Sequence, residues 1–332
     1  MPRTVTILGG GAMGTACSIL LAEKQAARVA LWMRQTAQAA EVARSRENRR
    51  LLPGIRLSDG IAVTADIAVA VAQTELIVVA IPTAFLREAL TALAPHIPAG
   101  VPVVSVVKGL ENGTFLRPSE IIRQTLGPRS VCALCGPSHA EEMGRRLPAS
   151  VVAASDDAAL AKDVQTLFTT DRFRVYTNRD LLGVELAGAI KNVIAIAAGI
   201  CDGLGYGDNA KAALLTRGVV EMMRFGTSLG AEPDTFAGLA GIGDLITTCY
   251  SRYGRNRGLG ERLGRGLTLE KALAEINGVV EGVTTARSVH DLARSKQIDM
   301  PIATEVYRVL FENKSPTAAT DSLMTRPPRA EA

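Results

Sequence analysis

Up to about residue 180 the chain alternates short apolar runs with longer stretches whose apolar residues recur at helical spacing. The runs Thr4 to Leu8, Arg28 to Met33, Ile61 to Thr64, Glu75 to Ile81, Pro102 to Val107 and Val131 to Leu134 predict strands. Continuous apolar segments such as Leu76-Ile-Val-Val-Ala-Ile81 fit strands covered on both faces, as in a parallel sheet with helices on each side. The alternation predicts an α/β fold with a doubly wound sheet of Rossmann type. Two further β-like runs, Ser150 to Ala154 and Phe173 to Thr177, extend that sheet.

After Asn178 the β-branched runs thin out, and Ala, Leu, Glu and Arg take over at helical spacing. The boundary falls near residue 180, dividing residues 1–180 from an all-helical part, residues 181–332. Glycine-rich turns punctuate the second part at Gly203 to Gly207, Gly238 to Gly243 and Gly254 to Gly266. The tail beyond Pro316 is polar with paired prolines, and fraying is expected there. The segment Gly183 to Gly199 is apolar nearly all round, the mark of a helix buried at the junction of the two parts.

Composition narrows the picture. In 332 residues, 47% are hydrophobic, enough for a sizeable core. Lys plus Arg number 37 and Asp plus Glu 33, a net +4. That small excess suits a local anionic ligand and gives no reason to expect nucleic acid as a partner. The one dense basic cluster, Arg44, Arg46, Arg49 and Arg50, reads as a solvated helix end, because no aromatic residues interleave with it. The five cysteines make an odd number, which argues against a disulfide framework. Cys132 and Cys135 lie in an apolar run without metal-ligand partners, so a buried reduced pair is expected and no metal site. The first apolar run ends at Leu8, too short for a signal core, and no uninterrupted apolar run approaches the ~18 residues of a spanning helix. A cytoplasmic protein without a membrane span is expected.

Chemistry enters at Gly9-Gly-Gly-Ala-Met-Gly14, a GxGxxG motif set between a strand and the helical run Thr15 to Glu23. Gly9 makes the tight turn, Gly11 lets backbone approach a pyrophosphate, and Gly14 lets helix and strand pack closely. The helix start then offers free amides to phosphate. This context points to a dinucleotide. An NAD-selective site usually carries an acid at the end of the second strand, whereas this chain has Arg34 there and no acid until Glu41. Arginine there can pair with a 2′-phosphate, so NADPH is expected to be accepted and preferred over NADH. The competing reading leaves Arg34 stacked on adenine or in solvent. Lys108 and the turn at Gly136 and Ser138 fall at carboxyl ends of strands, where ligands of such sheets bind. Lys108 as an ordinary strand-end lysine is the bland alternative.

Lys191 and Asn192 sit in the middle of the apolar helix. Burying an unpaired ammonium costs several kcal/mol, so such a lysine is paired, neutral or functional unless it snorkels to the surface. Desolvation lowers its pKa toward proton exchange with an alkoxide. Asp244 follows a glycine turn and could pair with Lys191 or accept a bond from a substrate hydroxyl. Gly254-Arg-Asn-Arg257 joins guanidinium and amide in a flexible loop, a combination suited to phosphate. Singly, each of these reads as a surface turn.

Together they carry a resemblance. Gly9 to Gly14, Ser105 to Leu110, Gly136-Pro-Ser138, Ile190-Lys-Asn-Val-Ile194, Asn209 to Gly218, Gly238 to Leu245, Arg255-Asn-Arg257 and Val279-Val-Glu-Gly282 resemble the NAD(P)-dependent sn-glycerol-3-phosphate dehydrogenase family, in its order, up to about Pro316. The resemblance implies reversible reduction of dihydroxyacetone phosphate to sn-glycerol 3-phosphate for glycerophospholipid synthesis, usually by a homodimer. It implies Lys191 as proton donor and acceptor, and substrate contacts from Lys108, Gly136, Ser138, Lys191, Asp244, Gly254, Arg255 and Asn256. Cofactor contacts would come from Gly9, Gly11, Ala12, Met13, Gly14, Arg34, Lys108, Ala140, Arg255, Val279 and Glu281. The family usually has Ser where this chain has Gly254, which puts one hydroxyl contact in doubt. His139, at a position that varies between an aromatic residue and histidine, receives no role. Two rivals stay open: a β-hydroxyacid dehydrogenase, also a Rossmann domain joined to a helical one with a catalytic lysine, and a nucleotide-sensing protein that kept the fold and lost the chemistry.

Overall fold

The computed structural model describes residues 2–23, 27–328 and 330. Among them eight strands form one sheet: β1 (Arg3–Leu8), β2 (Ala27–Trp32), β3 (Ile61–Thr64), β4 (Leu76–Val79), β5 (Val103–Ser105), β6 (Val131–Cys135), β7 (Ala149–Ala154) and β8 (Phe173–Asn178). Each predicted strand is present, within three residues at either end. The helices among them are α1 (Ala12–Glu23), α2 (Thr36–Ser45), α3 (Ile67–Val71), α4 (Thr83–Leu93), α5 (Pro118–Leu126), α6 (Ala140–Gly144) and α7 (Ala158–Phe168).

The strand order is β3-β2-β1-β4-β5-β6-β7-β8, parallel except for the β6–β7 pair. From β1 the chain winds outward to β3 and then returns to place β4 on β1's other side, so the carboxyl ends of β1 and β4 flank the switch point where ligands of such sheets bind. All four residues of β4 and all five of β6 are buried. Val5, Ile7 and Val78 join Cys17, Leu20 and Leu21 of α1 on one face. Leu8, Ile77 and Val79 join Leu86 and Leu90 of α4 on the other. Burying each such aliphatic side chain is worth about 1.5–3 kcal/mol, and the continuous apolar runs therefore specify two-sided coverage. β8 closes one edge with an alternating buried and exposed pattern.

Beyond β8 every named element is helical: α8 (Leu181–Gly203), α9 (Asp208–Ser228), α10 (Pro233–Ala237), α11 (Asp244–Tyr250), α12 (Arg255–Gly264), α13 (Leu269–Ala274), α14 (Glu281–Ser295), α15 (Pro301–Phe311) and α16 (Pro316–Met324). α8 forms the core of this part, buried from Val184 to Cys201. It is long and apolar enough to cross a membrane, but 89% of its most apolar stretch is enclosed by the protein. Three expectations need correction. Gly254 to Gly266 is no turn: residues 255–264 are α12, whose glycines let it lie backbone to backbone on α8. Gly238 to Gly243 holds a π-helical turn, Leu239–Gly243, where a Cβ on Gly241 would overlap the Phe236 carbonyl. The tail beyond Pro316 does not fray at once. Ser315 caps α16 by accepting from the Ala318 amide, and Ala319 is buried. The five cysteines are buried free thiols.

Candidate active site

A cleft of about 670 Å³ runs from the switch point of the sheet to α8. Its sheet-side wall is the turn after β1. Gly9 has φ +117°, and a Cβ there would come within 2.8 Å of the Ala80 carbonyl oxygen after β4. A Cβ on Gly14 would overlap the Gly9 carbonyl, whereas one on Gly11 would meet nothing within 4 Å. So two glycines bring turn, helix and neighbouring strand together and the third leaves room above the turn, as an extended pyrophosphate requires. Gly14 itself lies outside the cleft lining, beneath the turn; Gly9, Gly11, Ala12 and Met13 line it. Arg34 lines it just beyond β2, exposed.

The opposite wall centres on Lys191, 5% exposed in mid-α8. Its Nζ donates to Asp244 Oδ1 at 2.7 Å and to Thr248 Oγ1 at 2.6 Å. Asp244 and Thr248 are four residues apart on α11 and so share one face. The Thr248 hydroxyl also donates to the Asp244 backbone carbonyl at 2.7 Å, which leaves its lone pairs for the ammonium. Lys108 reaches the same carboxylate from the sheet side, donating to Asp244 Oδ2 at 2.7 Å and to the Gly136 carbonyl at 3.2 Å. Cys135 adds a thiol 3.7 Å from Asp244 Oδ2; burial pushes its pKa up to about 11, so it is a neutral donor.

The two lysines differ. Burial lowers the Lys191 pKa, Asp244 pulls it back up, and the Lys108 charge adds to the lowering, so the net direction is down. For Lys108 burial is outweighed by Asp244, with Cys135 and Glu281 helping, and the pKa rises. Asp244 stays ionised, because the two ammoniums overcome its desolvation.

Gly136 does not line the cleft. Its φ is +143°, a Cβ would come within 2.9 Å of Val151 Cα, and its carbonyl accepts from Lys108 and from Ser138 Oγ at 2.8 Å. Ser138, His139 and Ala140 do line it. His139 is held neutral, pushed down to about 4 by burial first and the Lys191 charge second, and its Nε2 is buried without a partner.

Arg255, Asn256 and Arg257 stand on the first turn of α12 rather than in a flexible loop, with Gly254 as N-cap. A Cβ on Gly254 would lie 2.9 Å from the Thr248 carbonyl, so this backbone leaves little room for a serine. Asn256 Nδ2 donates to Asn192 Oδ1 at 2.9 Å, and its Oδ1 accepts from the Gly282 amide at 2.8 Å. Those bonds tie α12 to α8 and α14. Arg255 faces Glu281, whose pKa rises by burial against the pull of that guanidinium. Val279, Glu281, Gly254, Arg255 and Asn256 all line the cleft. Arg257 turns away to Asp202 at 2.6 Å. Thr248, Cys135 and Arg50 also belong to this region and were not singled out as site residues; only Thr248 left a trace, its four-residue spacing from Asp244.

A two-way wound sheet with its glycine turn facing a buried lysine on a second, helical part defines the class of nicotinamide-nucleotide dehydrogenases. Residues 4–161 match the NAD-dependent glycerol-3-phosphate dehydrogenase N-terminus and residues 180–321 its C-terminus. The chain belongs to that family. It is 48% identical over 330 residues to the glycerol-3-phosphate dehydrogenase (NAD(P)+) of Chlorobium phaeobacteroides strain BS1, covering 98% of each chain. The crystal structure of glycerol-3-phosphate dehydrogenase from Coxiella burnetii is similar at a TM-score of 0.94 and 36% identity, covering 98% of this chain and 99% of that one. A Saccharomyces cerevisiae glycerol-3-phosphate dehydrogenase structure gives 0.83 and 27% identity, over 97% and 99%.

Proposed function

We propose that the chain catalyses the reversible reduction of dihydroxyacetone phosphate to sn-glycerol 3-phosphate with NADPH or NADH, for glycerophospholipid synthesis. Residues 1–180 would bind the dinucleotide and residues 181–332 would supply the substrate side. The observation that carries this reading is the Lys191 ammonium, buried and held by Asp244 and Thr248 in the wall opposite the glycine turn.

The glycine turn and the start of α1 fit a pyrophosphate, and the bound nicotinamide supplies the hydride. Everything else falls to this chain's side chains. Two of the three Lys191 N–H groups are engaged by Asp244 and Thr248, which leaves the third for the ketone oxygen. A cation fixed there stabilises the charge that develops on that oxygen more than it stabilises the ground-state carbonyl. Lys191 then gives its proton to the oxygen, and in the reverse direction takes it back. Lys108, held charged by Asp244, supports the same oxygen or its neighbouring hydroxyl, with Ser138 alongside and Gly136 fixing Lys108. Arg255 and Asn256 hold the substrate phosphate at the start of α12, whose dipole favours the anion. Gly254 contributes backbone there and no hydroxyl. Gly9, Gly11, Ala12, Met13, Gly14, Arg34, Ala140, Val279 and Glu281 shape the cofactor side. Arg34 supports a preference for NADPH. Family membership supports a cytoplasmic homodimer.

The test is NADPH and NADH oxidation with dihydroxyacetone phosphate, set against 2-hydroxymethyl-3-oxo acids. Faster turnover of an oxo acid would favour the hydroxyacid dehydrogenase reading, and tight NADPH binding with no ketone turned over would favour a sensor.

A further inference from the structure

The cleft extends beyond the glycine turn to Arg34, Gln38 and Arg50. Three features meet there. First, α2 begins without a side-chain cap on Gln35 and with no acid in its first turn, and Gln35 and Gln38 from that end line the cleft. Second, Gln38 Nε2 is buried without a hydrogen-bond partner. Third, two guanidiniums line the same cleft without a partner: among the described residues no hydrogen bond or ion pair engages the side chain of Arg34 or Arg50, whereas neighbouring Arg49 pairs with Glu47 at 3.3 Å and Arg46 donates to the Ile61 carbonyl at 3.0 Å.

The backbone that carries Arg50 is built into the site. Asn48, 1% exposed, donates to the Gly10 carbonyl at 3.0 Å and to Thr15 Oγ1 at 2.9 Å, so the segment is pinned to the glycine turn. The Arg50 carbonyl accepts from Asn277 Nδ2 at 3.0 Å, which fixes its backbone from the helical side. The basic cluster expected to be a solvated helix end is therefore not uniformly solvated: Arg46 is largely buried against the Ser58 and Ile61 carbonyls, and Arg50 is brought into the cleft.

We propose that Arg50 and Gln38 complete, with Arg34 and the open start of α2, a site for a phosphate monoester, the 2′-phosphate of NADPH, so that cofactor choice is shared by two guanidiniums. The inference rests on the dinucleotide reading. A monoester is close to a dianion, and two guanidinium forks match its charge and supply paired donors. The unpartnered amide and the helix amides supply the remaining donors. A contact from Arg50 to the pyrophosphate instead would serve both cofactors equally.

The experiment is calorimetric binding of adenosine 2′,5′-bisphosphate and adenosine 5′-monophosphate to the full chain and to Arg50→Ala, Gln38→Leu and Arg49→Ala. Loss of one charge-assisted contact should weaken the bisphosphate about tenfold or more in Arg50→Ala. The monophosphate should weaken less than about twofold in the same variant, since its lost contact would be to a group it lacks. Gln38→Leu should move in the same sense by a smaller factor, and Arg49→Ala should change neither. Equal loss of both ligands in Arg50→Ala would overturn the proposal in favour of a pyrophosphate contact, and no loss would return Arg50 to solvent. Bisphosphate binding without reduction of dihydroxyacetone phosphate would refute the proposed substrate and leave this site standing. Equal wild-type affinity for the two ligands would refute the site even in an active enzyme.

Discussion

Asp244 accepts from both lysines, yet their pKa values move in opposite directions. Lys108, raised, keeps its charge through neutral pH and beyond, whereas burial and the Lys108 charge push Lys191 below the ordinary lysine range. With Lys191 as the proposed proton donor, reduction needs it charged, so kcat/KM for dihydroxyacetone phosphate should fall as pH rises through its pKa, below the ordinary lysine value of 10.5. The reverse oxidation should gain over the same interval. Asp244→Asn removes the one strong influence that raises Lys191, so the alkaline limb of reduction should move to lower pH; an unmoved limb would detach Lys191 from the profile. Lys191→Ala should lose about 10²–10⁴-fold in kcat, the usual range for a positioned acid–base group, while NADPH titration by fluorescence stays near normal. The Asp244 carboxyl sits below its ordinary 3.8, so its pairing stabilises the fold above that pH and the contribution fades as pH falls through the lowered folded value.

At the scale of elements, the contact between α8 and α12 decides where Arg255 and Asn256, the proposed phosphate contacts, can stand. A Cβ on Gly199 would overlap the Arg257 carbonyl, one on Gly203 the Glu261 carbonyl, and one on Gly260 the Ile196 carbonyl. Glycine costs helix propensity, and a run of it reads as a turn. Here it lets two helix backbones touch, so that Asn256 of α12 meets Asn192 of α8. Helical identity was therefore illegible at residues 255–264: the determining fact is the shape of the partner helix, which no local window contains. The strands were legible because two-sided burial writes itself as continuous apolar sequence, and Lys191 was legible as the one cation in such a run. Arg50 and Cys135 gave no comparable signal, since their places depend on Asn48, Asn277 and Asp244, remote in sequence. Gly199→Ala should cost about 1–3 kcal/mol in urea unfolding, the range for overpacking, and raise KM for the phosphate substrate. Gly207→Ala, with nothing within 4 Å of the added methyl, should do neither. A second element-level device is Glu221 of α9, which accepts from the Ile302 and Ala303 amides at 2.7 and 3.2 Å at the start of α15. Burial pushes its carboxyl up to about 7. The folded state thus holds that proton more tightly than the unfolded state, and stability should fall as pH rises from the ordinary 4.5 toward 7. Glu221→Gln should flatten that part of the stability profile, measured by thermal unfolding from pH 4 to 8 in steps of about one unit; an unchanged slope would reject the assignment.

For the whole molecule, the lysine–aspartate cluster proposed to carry the reaction draws on both parts of the chain, and neither part holds it alone. Lys108 follows β5 while Lys191 and Asp244 are helical-side residues, so the Lys–Asp–Lys arrangement exists only when sheet and helices are docked. A second buried polar joint sets that docking. Glu185 of α8 accepts from the Ser119 amide at 2.8 Å, from Ser119 Oγ at 2.6 Å and from Arg117 Nη1 at 2.7 Å, all at the start of α5. Burial pushes the Glu185 carboxyl up against the pull of Arg117 and both serine bonds, so these donors are what keep a charge tolerable there. Glu185→Ala should leave Arg117 paired with Glu120 alone, at 3.1 Å, and leave the buried Ser119 amide and hydroxyl without their acceptor, costing about 1–3 kcal/mol. Glu185→Gln keeps an acceptor for serine and should cost about 1 kcal/mol, the worth of a typical hydrogen bond. Because the joint lies between the parts, the alanine variant should also separate their stabilities: one calorimetric transition in the parent should broaden or split, with NADPH protecting mainly the sheet part. Turnover should drop further than NADPH affinity, since most of the proposed nucleotide contacts lie on the sheet part, with Val279 and Glu281 added from the helical part, whereas the lysine–aspartate cluster spans both. A single sharp transition at the parent Tm in Glu185→Ala would mean that the joint carries no load, and that the docking of the two parts depends on the apolar contacts of α8 alone.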